Sequence, residues 1–224
     1  LTPNLSFEKV IPWEVPPGHW RLLYMVEKRA DYYIDALNPE ATAEFLRQGY
    51  EPYHDALGGF STGAVSGFYT DEPAMHYYLS SADNPVIPWT KDMFRRFRAR
   101  NGYSLRPRLP DLFFDISSES ARVRYDFYST ITEFYADAFF RQIHDWCRQH
   151  GVLLTGHLLY EEYLRRAIRT GGNLFRHYEH LDVIGIDHLY PYIGSPDRPA
   201  EHVAIKLGSS AAHHLGSERL PRPD

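Results

Sequence analysis

The 224-residue chain carries 24 Lys and Arg against 29 Asp and Glu, a formal charge of −5, and so lacks the basic face by which proteins hold nucleic acid. No run of about 18 apolar residues occurs, so neither a membrane span nor a secretory leader is visible; a soluble protein with no membrane partner is expected. A lone Cys147 precludes an internal disulfide and a cysteine-rich zinc module.

In chain order, Arg21 to Glu27 and Asp31 to Leu37 read as short apolar runs between polar breakers, consistent with buried strands. Asn38-Pro39 then opens a helix, because Pro suits the first helical position, and Ala43, Leu46, Tyr50 and Tyr53 give it an apolar face as far as Leu57. A third strand, Val65 to Thr70, ends in Asp71-Glu72-Pro73, where Pro forbids continued ladder bonding. Thr90 is expected to cap a helix running to Asn101, with Gly102 as its terminator. From Ser118 to His150, Phe127, Ile131, Phe134, Ala138 and Phe139 recur at steps of three and four, predicting one long helix with that stripe buried. Val152 to Leu159 is a fourth strand leading into Glu161 and Glu162; a short helix follows from Leu164 to Thr170. Val183 to Leu189 is a fifth strand and Glu201 to Leu215 a last helix.

Strands alternating with long helices imply a mainly parallel sheet. No Gly-rich phosphate loop follows the first strand, and polar residues recur at strand ends. Both features favour an α/β fold of the (β/α)8 TIM type over a doubly wound sheet. The expected organisation is one (β/α)-barrel catalytic domain over residues 1–224, truncated relative to the roughly 250 residues of a whole barrel. The chain opens on Leu1 rather than Met, so the compartment, cytoplasmic or secreted, is left open.

The strand exits carry the chemistry. Asp71-Glu72, His157 with Glu161-Glu162, Asp187-His188, and Asp35 with Asn38 make four polar clusters, any one of which could merely cap a loop. Together they make a carboxylate-rich mouth, which glycosidic cleavage requires: one protonated acid for the leaving oxygen and one ionised partner. Adjacent strand residues point to opposite faces, so Asp71 and Glu72 share the mouth only if the chain turns there. Glu72, among Phe68, Tyr69 and Tyr77, is expected to be the general acid. Two rivals are weaker. Gly59-Phe60-Ser61-Thr62-Gly63 matches a serine-hydrolase elbow, yet follows a helix and leads into a strand, the reverse of the required context. His144, Cys147 and His150 step about 100° per residue along a helix that ends at once, so core Cys and surface His fit better than a metal cluster. A non-catalytic carbohydrate-binding or structural barrel fragment is the remaining alternative.

The strings IDALNPEATAEF at 34 to 45, GFYTDEP at 67 to 73, PWTKDMFRRFRARNGYSL at 88 to 105, the segment from 122 to 162 ending TGHLLYEE, and HYEHLDVIGIDHL at 177 to 189 together resemble the catalytic barrel of glycoside hydrolase family 106. That family is named for α-L-rhamnosidases. The resemblance implies hydrolysis of a terminal deoxyhexose linkage by two carboxylic acids, with inversion. It points to Glu72 and Glu161 as the catalytic pair, and to Asp35, Asn38, Asp71, His157, Glu162, Asp187 and His188 as substrate contacts. It also raises calcium as a cofactor, although the sequence does not assemble the six to eight oxygens that calcium takes; no other cofactor is expected. Carbohydrate is the implied substrate, and further domains of a longer chain are the implied partners. Relatives carry a further strand ending in a glutamate where this chain runs GSERLPRPD, and the prolines there disfavour a strand.

Overall fold

The computed structural model describes residues 12–29, 33–76, 86–187, 197 and 200–216. In chain order the elements are α1 (Pro39–Gly49), α2 (Glu51–Ala56), β1 (Gly67–Thr70), α3 (Met93–Asn101), a 3₁₀ segment (Arg106–Leu112) and α4 (Ser120–Tyr135). There follow a π-helical segment (Ala136–Arg141), α5 (Gln142–Gln149), β2 (Leu153–Gly156), α6 (Leu164–Thr170), α7 (Leu174–Tyr178), β3 (Val183–Ile184) and α8 (Ala200–Leu215). The strands form one sheet in the order β1-β2-β3, both pairs parallel. Gly67 lies opposite Leu153, Thr70 opposite Gly156, and Thr155 opposite Val183. The architecture is mixed α/β, and the three exits from the sheet therefore lie at one edge.

Five strands are expected from the sequence and the described residues contain three. Residues 21–29 form no strand and lie exposed, with Leu22, Tyr24 and Val26 each more than half accessible. An apolar run becomes a strand only where a ladder receives it, and none does here. Residues 31 and 32 lie outside the described set; 33–35 form no strand, and 36–37 make a turn closed by the Asn38 N–H to the Asp35 carbonyl at 2.9 Å. The last two strands are shorter than predicted, ending at Gly156 and Ile184.

Helix boundaries follow their caps. Asn38 accepts the Glu40 N–H at 3.1 Å and Pro39 occupies the first turn of α1, as its composition predicts. The expected single helix to Leu57 is broken at Tyr50, because Pro52 lacks the N–H that continuity needs. Leu46 and Tyr50 are buried, whereas Ala43 and Tyr53 are exposed. Thr90 does not cap α3: its hydroxyl donates to Asp35 Oδ2 at 2.6 Å, and the helix starts after Asp92, which adopts φ 63°. Gly102 terminates α3 at φ 79°.

The long helix is continuous but carries the π segment, which inserts a residue and turns the downstream face. Phe140 thereby becomes fully buried beside Phe127, Ile131 and Tyr135, and the predicted Phe134 is left half-buried. Phe68 of β1 stacks on Tyr50 at 4.3 Å between ring centroids and meets Trp146 edge-on at 5.8 Å, which fastens α1 and α5 to the sheet. Cys147 is buried in this core, and His150 stacks on Trp146 at 4.0 Å. Among the described residues no helix is long and apolar enough to cross a membrane.

Candidate active site

The β1 exit turns sharply. Glu72 adopts φ 45°, a left-handed conformation that costs a non-glycine residue about 1 kcal/mol or more. That turn ends the alternation between faces, so Asp71 and Glu72 both reach His157: Asp71 Oδ1 lies 3.2 Å from His157 Nε2, and Glu72 joins His157 and Asp187 in a group whose ligand atoms lie within 4.8 Å of one another. The β2 exit repeats the device, with Tyr160 at φ 62°.

Glycines let the strand ends approach. A Cβ on Gly156, at φ 153°, would lie 2.2 Å from the Thr70 carbonyl oxygen, and one on Gly185 would lie 2.7 Å from the Gly156 carbonyl oxygen. His157 follows immediately. Its backbone N–H donates to the Thr70 carbonyl at 3.2 Å, its Nδ1 is paired with the Tyr69 hydroxyl at 2.5 Å, and its buried Nε2 has no hydrogen bond of good geometry.

Glu161 is the deepest of the acids, 1 % exposed. Its Oε1 accepts the Leu158 N–H at 2.9 Å and the Tyr178 hydroxyl at 3.0 Å, and its enclosed Oε2 has no partner among the described residues. Burial pushes this carboxyl up to about 7, against the downward pull of the Leu158 N–H, the Tyr178 hydroxyl and the Asp187 N–H; the Glu162 charge adds to the rise. Glu72 is also raised, first by burial and then by the charges of Asp187, Asp71 and Glu162, with His157 opposing. The Tyr69 phenol is raised by burial and by Asp71, Glu161 and Asp187. The acids of the three strand exits thus lie near enough to bear on one another's charge.

The structure therefore brings Glu72, Asp71, His157, Glu161, Glu162 and Asp187 to one rim. Asp35 is engaged differently, accepting the Thr90 hydroxyl and the Leu37 N–H, with burial raising its carboxyl. Asn38 caps α1. His188 and Tyr77 lie outside the described residues. Ser61 lies exposed in the turn between α2 and β1, away from any strand-to-helix elbow. Tyr69 and Tyr178 were not predicted; Tyr69 was legible as the strand residue two before Asp71, on the same face as it in an extended chain.

A cation could sit among Glu72, His157 and Asp187, since each offers one ligand atom to a common point. One imidazole and two carboxylates fall short of the six to eight oxygens that calcium takes, so the described residues alone do not fit that ion.

A parallel α/β scaffold with carboxylates at its strand exits is a layout that enzymes acting on glycosidic bonds use. The chain belongs to glycoside hydrolase family 106: the family's sequence profile, described as alpha-L-rhamnosidase, matches residues 1–213. A curated protein of Formosa agariphila named "Putative beta-glucuronidase" is 23% identical over 167 residues, 68% of this chain and 14% of that protein. A solved rhamnosidase structure from Novosphingobium sp. PP1Y is similar with a TM-score of 0.51 and 23% identity, over 67% of this chain and 14% of that one. The chain thus spans 14% of the length of each of these relatives.

Proposed function

We propose that the protein hydrolyses a terminal deoxyhexose linkage of the α-L-rhamnoside type, with Glu161 as general acid and Glu72 as its ionised partner. One observation carries this reading. Glu161 is 1 % exposed, and burial pushes its carboxyl up to about 7, while Glu72, on the same rim and also raised, is less buried. Two carboxyls in unequal surroundings, one deeply buried and one less so, are what acid and base roles demand. The sequence alone favours Glu72 as the acid; the deeper burial of Glu161 supports the reverse assignment. Glu161 gives its proton to the departing glycosidic oxygen as that oxygen leaves the anomeric carbon. Glu72 takes a proton from the water whose oxygen bonds to that carbon, which inverts its configuration. His157, Asp71, Glu162 and Asp187 line the same rim as contacts for sugar hydroxyls. No step is assigned to a metal.

The three parallel strands are read as part of a (β/α)8 barrel, supported by the parallel pairing and by carboxylates at successive exits. The test is hydrolysis of 4-nitrophenyl α-L-rhamnopyranoside, with the corresponding β-D-glucuronide as comparator. Release of nitrophenol from the rhamnoside, reduced by a factor on the order of 10² in Glu72→Gln, supports the reading. Binding of rhamnose without turnover of either glycoside would replace it with a non-catalytic carbohydrate-binding role.

A further inference from the structure

Glu161 is anchored by Tyr178 of α7, whose hydroxyl donates to its Oε1 at 3.0 Å. Tyr178, 0% exposed, is the last residue of the five-residue α7. A helix that short has no stability of its own, since isolated helices under about 12 residues are marginal. It is instead fastened to the long helix. Thr132 Oγ1 accepts the Asn173 N–H at 3.1 Å, and Arg176 donates to Glu133 at 3.1 and 3.0 Å. His177 stacks on Phe140 with ring centroids 4.7 Å apart. Gly172, at φ 78°, permits the approach, because a Cβ there would lie 2.1 Å from Thr132 Oγ1. The side chain delivered by this clamp is the phenol that meets Glu161.

We infer that Tyr178 is the positioning residue of Glu161: its hydroxyl, with the Leu158 N–H, holds Oε1 and so fixes the orientation of the carboxyl on the rim. The inference rests on the acid role proposed above. Oε1 accepts two donors fixed by the fold, the backbone of β2's exit and the clamped phenol, so the carboxyl cannot rotate without breaking both. The other groups facing Glu161 are Glu162 beside it, Tyr69 of β1 and the Asp187 N–H beyond β3; Tyr69 is committed to His157 Nδ1.

Tyr178→Phe keeps the buried ring and removes only the hydroxyl. Two readouts are taken on the purified protein: the infrared carbonyl band of isotope-labelled Glu161, assigned by its loss in Glu161→Gln, and kcat on an alkyl α-L-rhamnoside, whose leaving oxygen needs the acid. Losing one donor shifts the band to higher wavenumber, and kcat falls about tenfold or more while KM stays within about twofold. Replacing Tyr178 by 3-fluorotyrosine, whose more acidic phenol donates more strongly, shifts the band the other way and retains turnover. That second variant decides the matter should the Phe protein fail to fold. A band that moves in neither variant overturns the inference, as does a shifted band with unchanged kcat. Wild-type protein without turnover sinks the glycosidase reading, and the catalytic half of this inference with it; an unmoved band sinks the inference alone.

Discussion

Replacing Glu161 by Gln isolates the cost of enclosing its charge. The folded carboxyl titrates at about 7 against an ordinary 4.5. A group whose folded pKa is raised binds its proton more tightly when folded. Its stabilising effect is complete below pH 4.5, is lost as pH rises through the window to 7, and is absent above it. Because Glu161 is 1 % exposed, no discount for solvent screening applies. The loss between pH 5 and 8 comes to about 2–3 kcal/mol, which Gln, neutral throughout, does not suffer. His177 works in the opposite direction: burial pushes its imidazole down to about 4, so its contribution grows with pH from there to 6.5. It is present in both proteins and cancels in their difference. Urea unfolding at a series of pH values should show Glu161→Gln gaining about 2–3 kcal/mol on the wild type between pH 5 and 8. Parallel stability curves would refute the enclosed, proton-holding carboxyl.

Gly156→Ala should destabilise by at least about 2 kcal/mol in the same assay, since its Cβ meets the Thr70 carbonyl at 2.2 Å on a left-handed backbone. Thermal unfolding of Phe140→Ala should show a loss of about 3–5 kcal/mol, because the ring is fully buried against His177 and Tyr135. Glu72→Gly relieves the turn at φ 45° and should be about 1 kcal/mol more stable by urea unfolding while turnover is lost, as expected where strain is kept for function.

The rim was legible because apolar runs stop at Asp71-Glu72-Pro73 and again before Glu161, and a chain that leaves a parallel sheet leaves at one edge. Which acids cooperate was less so. Asp35 has the same local pattern, but only the packed chain brings Thr90 to it. Arg21 to Glu27 has a strand's composition without a ladder to join, and composition cannot supply the partner. The π segment adds one residue to a turn, which spacing of three and four does not reveal, so Phe140 went unread in favour of Phe134. Tyr178 is bound to its partner through a clamp built from Thr132, Glu133 and Phe140, residues distant in the chain, and no local pattern records such a contact.

The acid role of Glu161 is tested most directly by leaving-group dependence. Glu161→Gln and Glu72→Gln are each assayed on an alkyl and on a 4-nitrophenyl α-L-rhamnoside. An alkoxide cannot depart without a proton, whereas nitrophenolate can. Glu161→Gln should therefore lose a factor on the order of 10² or more on the alkyl substrate and much less on the aryl one, with Glu72→Gln losing equally on both. Equal losses for Glu161→Gln, with the leaving-group sensitivity appearing in Glu72→Gln instead, would contradict the assignment.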